Sequence, residues 1–172
     1  MTDPVATPSY RLGKVGQIAV VVRSLDRAIE RYWSVLGLGP WSIYTYGAPL
    51  MREMTYMGRP SEFRMRIGLA QAGGVVFELI EHLEGETIYR DFLEQHGEGI
   101  HHMGVYVPRL HTAVAEATAN GYRVLQSGYG YGKRGDGGFA YMGMEDDLGA
   151  TIELIEVPAE RVPPERVYPP ES

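Results

Sequence analysis

One short pattern, Phe77-Glu78-Leu79-Ile80-Glu81, returns as Ile152-Glu153-Leu154-Ile155-Glu156, and each copy drops carboxylates into an apolar run. A second pair of segments matches in the same way. Gly16-Gln17-Ile18-Ala19-Val20-Val21-Val22 opens the first half of the chain, and His101-His102-Met103-Gly104-Val105-Tyr106-Val107 opens the second. Repetition of this kind restricts the fold to two like modules in which equivalent residues take equivalent places. Gln17, Glu78, His102 and Glu153 then become oxygen or nitrogen donors at matching positions of the two modules.

The glutamates are informative because of what they cost. An ionised carboxylate among Val, Phe, Leu and Ile is unfavourable by several kcal/mol unless something neutralises it. A divalent cation does so: two carboxylates cancel its charge, while Gln17 and His102 supply neutral donors. Side chains alternate along a strand, so Glu78 shares a face with Ile80, and Glu81 shares the other with Leu79. One glutamate of each pair faces inward; Glu81 and Glu156 read as solvated charges at strand ends. The same alternation separates His101 from His102, and the match to Gln17 selects His102 as the ligand.

The periodicities divide the chain into a leader (1–12), a first βαβββ module (13–85), a linker helix (86–100), a second βαβββ module (101–157) and a Pro-rich tail (158–172). In the first module a strand over 16–22 is followed by a helix that Ser24 caps, with Leu25, Ala28, Ile29, Tyr32, Trp33 and Leu36 at helical spacing and Gly37 as its stop. Strands follow over 41–46, 62–69 and 75–81, and the second module repeats the order after a helix at 88–95 that Thr87 caps. Five of the eleven prolines fall in the last fifteen residues, so neither end is expected to carry the core. The fold class is α+β: two tandem βαβββ modules whose mixed sheet curves around a central metal-binding cleft.

Composition removes several functions. A net charge of −6 with no dense Lys/Arg patch argues against nucleic acid as a partner. The absence of cysteine excludes thiolate metal sites and cysteine nucleophiles, so any metal must use oxygen and nitrogen donors. The N-terminus lacks the basic start and apolar stretch of a signal peptide, and no apolar run has the length of a membrane span, which predicts a cytoplasmic protein without a membrane partner. Gly130-Tyr131-Gly132-Lys133-Arg134-Gly135 spells a dinucleotide fingerprint, but no helix follows it. It reads as a mobile loop with solvated charges, and no organic cofactor is implied. Tyr44, Tyr46, Met51, Met54, Tyr56, Met57 and Met65 crowd one segment, as core or as the wall of an adaptable pocket.

Over residues 16–156 these features resemble the vicinal oxygen chelate superfamily, the group of glyoxalases, bleomycin-resistance proteins and ring-cleavage dioxygenases. The stretch Phe92-Leu93-Glu94-Gln95-His96-Gly97-Glu98-Gly99-Ile100-His101-His102 is most similar to the approach to the second metal-bearing strand of methylmalonyl-CoA epimerases. Those epimerases usually carry a histidine where this chain has Gln17; the set Gln17, Glu78, His102 and Glu153 resembles that of eukaryotic-type glyoxalase I. The resemblance implies one divalent ion (zinc, nickel, cobalt, manganese or magnesium), a homodimer, and a small-molecule substrate such as an acyl-CoA thioester. It further implies an isomerase or epimerase that removes a proton α to a carbonyl or thioester through a metal-stabilised enolate, with Glu153 as leading base and Glu78 as its counterpart. The alternatives are a glyoxalase I-type lactoylglutathione lyase and a metal-free protein that sequesters a drug.

Overall fold

The computed structural model describes residues 13–170. Its first strand, β1 (Lys14–Val22), leads into helix α1 (Leu25–Leu36), and strands β2 (Trp41–Tyr46), β3 (Arg52–Tyr56), β4 (Arg59–Pro60), β5 (Arg64–Ala72) and β6 (Val75–Glu84) follow. Helix α2 (Ile88–His96) connects to β7 (Gly99–Tyr106), α3 (Leu110–Ala119), β8 (Val124–Tyr131), β9 (Gly137–Met142), the single turn α4 (Glu145–Leu148), β10 (Thr151–Glu156) and β11 (Arg166–Tyr168). The fold is α+β, one open curved mixed sheet in the order β11-β2-β5-β6-β1-β7-β10-β9-β8-β3-β4.

The repeated segments form the middle of that sheet. β1 and β7 pair antiparallel at its centre, and each takes the strand carrying its module's Glu-Leu-Ile-Glu pattern as a parallel neighbour: β6 beside β1, β10 beside β7. Alternation then sorts the side chains. Val20, Val22 and Leu79 face outward with Leu25 and Ile29 of α1 and with Trp41, while Val105, Ile152 and Leu154 face outward with Leu110, Ala113 and Ala117 of α3. The opposite face holds Ala19, Val21, Ile80, Tyr46, Met65, Tyr89, Phe139 and Tyr141. Gly37, at φ 65°, stops α1: its N–H donates to the carbonyl of Trp33 and the N–H of Leu38 to that of Tyr32, a left-handed cap open to glycine at little cost.

Glu81 and Glu156 correct the reading of them as solvated charges. Glu81 Oε2 accepts the N–H of Leu25, the first residue of α1, at 3.3 Å, and Glu156 Oε2 accepts the N–H of Leu110, the first residue of α3, at 2.7 Å. Ser24 makes no side-chain cap bond; the carboxylate from the sheet does that work and also suits the positive end of the helix. The repeated pattern thus has a physical reason at both acidic positions. Its first glutamate points into the concave face, and its second fastens the module's helix to the convex face.

Three elements were not legible as parts of a tandem repeat. β3 and β4 form a hairpin that pairs with β8, so the first half of the chain supplies the edge of the second half's sheet. β11, from the Pro-rich end, pairs with β2 and supplies the edge of the first half's sheet. The segment expected to stay out of the core is thereby tied to it, with Val162 packed against the concave cluster. No helix among the described residues is long and apolar enough to cross a membrane. The leader lies outside the described residues.

Candidate metal centre

Gln17, Glu78, His102 and Glu153 meet on the concave face of the four central strands, each at most 6 % exposed. The register explains how. Gln17 and Glu153 are the cross-strand partners of Gly104, one from β1 and one from β10, so a residue with no side chain lies between two that converge. A Cβ at Gly104 would lie 2.7 Å from Gln17 Cβ and 3.4 Å from Glu153 Oε2. Larger residues there would push the two donors apart.

The amide of Gln17 bridges the carboxylates, its Nε2 donating to Glu78 Oε2 at 2.8 Å and to Glu153 Oε2 at 3.1 Å. His102 Nε2 stands 3.1 Å from Glu153 Oε2 and 3.5 Å from Glu78 Oε2, but it forms no hydrogen bond, which leaves a fully buried polar atom unpartnered. Ligand atoms of Glu78, His102 and Glu153 all lie within 4.8 Å of one another. Burial pushes the Glu78 carboxyl above its ordinary range, an effect that His102 reduces and the neighbouring charge of Glu153 reinforces. For His102, burial disfavours the imidazolium, yet the charge of Glu153 and the contacts with both carboxylates outweigh it and hold the group up at about 9.

This arrangement fits a divalent cation. Two carboxylates forced together by the fold repel, an imidazole nitrogen aims at the space between them without a bond, and the donors are the oxygen and nitrogen types that zinc, nickel, cobalt, manganese or magnesium accept. Rotating the amide of Gln17 about its last bond exchanges its NH2 for its oxygen and turns it from a bridge between carboxylates into a fourth donor.

Residues that pattern reading did not single out surround these four. His101 Nδ1 lies 2.9 Å from His102 Nδ1. Burial, then the neighbouring His102 and His96, press His101 down to about 3, so it is neutral and His102 is the ring that donates from Nδ1. That bond keeps Nε2 of His102 turned toward the carboxylates. The ring of Tyr141 packs edge-on to His102 with centroids 4.8 Å apart, and Tyr89 Oη donates to Tyr141 Oη at 2.8 Å. The cavity in front of the donors measures about 30 Å³ and is walled by Tyr46, Met65, Tyr131, Phe139 and Arg161. Tyr44, Tyr46, Met51, Met54 and Met65 are buried in the concave core, Tyr46 and Met65 of them also lining this cavity, whereas Met57 is exposed and Tyr56 donates to Asp91 at 2.5 Å. Lys133 and Arg134 are exposed in the turn between β8 and β9, and Lys133 pairs with Glu160 at 2.5 Å.

A family profile described as Glyoxalase/Bleomycin resistance protein/Dioxygenase superfamily matches residues 16–141. Among solved structures, a methylmalonyl-CoA epimerase variant of Streptomyces coelicolor in complex with 2-nitronate-propionyl-CoA superimposes with a TM-score of 0.60 at 19% identity, covering 89% of this chain and 100% of that one. The methylmalonyl-CoA epimerase of Mycobacterium tuberculosis gives 0.57 at 21% identity, over 91% of this chain and 95% of the other. A hypothetical protein of Bacillus halodurans gives 0.58 at 22%, over 87% and 97%. At these identities the likeness is one of fold. No curated protein matches the chain significantly.

Proposed function

The chain belongs to the glyoxalase/bleomycin resistance protein/dioxygenase superfamily, and from that premise we propose that it is a metal-dependent isomerase or epimerase that moves a proton at the carbon beside a carbonyl or thioester. The observation that carries this reading is the unpartnered Nε2 of His102, buried and directed at two buried carboxylates that an amide bridges. Glu78, His102 and Glu153 would hold the ion, with Gln17 as a fourth donor. The ion's contribution, when bound, is that of a Lewis acid at a substrate oxygen, which lowers the energy of the charge that develops there by several kcal/mol.

The rest of the work falls to the chain. Glu153 takes the proton and Glu78 stands on the other module as its counterpart, so proton access comes from two related directions, as an inversion at carbon requires. Tyr46, Tyr131, Phe139 and Tyr141 exclude water from the reacting carbon. The cavity of about 30 Å³ is roughly the volume of one water molecule, so only a small reacting group meets the donors there. It does not favour sequestration of a drug-sized molecule, which needs roughly 300 Å³ or more. An acyl-CoA ester is the proposed substrate class. A cytoplasmic homodimer completes the proposal, checked by sedimentation of the purified protein and by fractionation of the source cells.

The donor set with Gln17 keeps a lactoylglutathione lyase as the second reading. Metal-loaded protein incubated in deuterated water with acyl-CoA esters is expected to exchange the α-hydrogen, and Glu153→Gln is expected to abolish that exchange while retaining the fold. A thioester product formed only from methylglyoxal and glutathione selects the lyase instead. Full exchange by Glu153→Gln removes the base assignment.

A further inference from the structure

The C-terminal segment crosses the mouth of the cavity from one half of the sheet to the other. Beyond β10, Pro158 packs on Gly132, Ala159 N–H donates to Asp136 at 3.1 Å, and Glu160 is held by Lys133 through its carbonyl at 2.9 Å and its carboxylate at 2.5 Å. Those partners lie in the turn between β8 and β9. Five residues later Glu165 is fixed to the far edge, its N–H donating to Ile43 and its carboxylate accepting from the N–H and hydroxyl of Thr45 at 3.0 Å each. β11 then pairs with β2. Between the two anchorages Arg161 reaches down into the cavity that Gln17, Glu78 and Glu153 line.

Arg161 forms no close ion pair among the described residues; in the metal-free cavity its charge acts on Glu78, and the phenols of Tyr44, Tyr46, Tyr106 and Tyr131 surround it. Burial pushes Tyr46 up to about 12 and raises Tyr131 as well, so both are neutral at physiological pH. Once a divalent ion neutralises Glu78 and Glu153, the cavity retains the single positive charge of Arg161. An enclosed site with one uncompensated guanidinium is complementary to one anionic group, and the planar fork of arginine matches a carboxylate through two parallel hydrogen bonds.

We infer that Arg161 is a substrate-binding residue that receives a carboxylate borne beside the reacting centre, and that the segment 158–165 is the strap that delivers it. The inference rests on the metal-dependent reading above and goes beyond it by naming the charge the substrate carries at that centre.

Oxalate, a compact planar dianion, and oxamide, its uncharged isostere, are the probes. Isothermal titration of the metal-loaded full chain is expected to show oxalate binding and no comparable oxamide binding. Arg161→Met is expected to weaken oxalate by roughly 10- to 100-fold and Arg161→Lys by less, while metal affinity, titrated separately on the same proteins, stays within about threefold of the unaltered chain. Retained metal affinity also reports that each variant is folded. Oxalate binding by Arg161→Met within twofold of the unaltered chain, equal binding of oxamide, or no oxalate binding by metal-loaded protein each overturns the role of Arg161 and leaves the metal reading standing. Failure of the unaltered chain to take up a divalent ion overturns the metal reading first, and this one with it.

Discussion

Replacing Gly104 by alanine tests whether the centre depends on a missing side chain. The new methyl group would stand 2.7 Å from Gln17 Cβ and 2.7 Å from Ile155 Cδ1, where carbon atoms at rest keep roughly 3.5–4.0 Å. Ile155 can turn its terminal carbon away. Gln17 Cβ cannot, because it is fixed to the backbone of β1 directly across the ladder, so the central strands must separate or shear. Overpacking of this kind costs about 1–3 kcal/mol. For a chain of 172 residues that is a drop in melting temperature of about 2–12 °C, measured on metal-free protein. The methyl also reaches 3.4 Å from Glu153 Oε2, and displacement of Gln17 and Glu153 together is expected to weaken metal binding about tenfold or more. Gly74→Ala is the control, since a Cβ there meets nothing within 4 Å. A Gly104→Ala protein that matches Gly74→Ala in both melting temperature and metal affinity would refute the reasoning.

Glu156→Ala removes the cap on Leu110 and is expected to destabilise the protein by about 1 kcal/mol in urea unfolding, with metal affinity unchanged; equal stability would show that the cap is idle. His101→Phe takes away the acceptor that orients His102 and is expected to weaken metal binding by roughly 10- to 100-fold while leaving the far-ultraviolet dichroism intact, and an unaltered affinity would contradict the positioning role. The metal-free protein should lose stability as pH rises. His102 is raised to about 9 from an unfolded value near 6.5, so its contribution is fully present below about 6.5 and is lost as pH climbs through about 9. Glu78, raised above its ordinary value, acts in the same direction, because its buried carboxyl is favoured while neutral. Melting temperatures from pH 6 to 9.5 check this, and a flat profile for the metal-free protein would count against the coupling.

The repeated pattern made the centre of this molecule legible because two physical constraints acted on the same residues. Alternation along β1, β6, β7 and β10 fixed which side chains share a face, and the duplication fixed which faces oppose, so Gln17, Glu78, His102 and Glu153 could be placed together before any coordinates. Glu81 and Glu156 were misread because a strand-end charge that caps a helix looks the same in sequence as one in water. Only the distance from the helix start distinguishes them. The exchanged edges were illegible for another reason: β3 and β11 are short, and each pairs with a strand of the opposite half, information that local periodicity does not contain. Arg161 was hidden in the same way, one of two arginines in a proline-rich stretch whose position over the cavity depends on anchors at Lys133 and Thr45.

Anomalous diffraction from crystals grown with zinc or cobalt addresses the centre itself. The expected result is one strong peak per chain, bounded by the Oε2 atoms of Glu78 and Glu153, by Nε2 of His102 and by the amide oxygen of Gln17, at coordination distances of about 2.0–2.3 Å. Density with no anomalous peak among those four side chains, in protein saturated with the ion, would contradict the account.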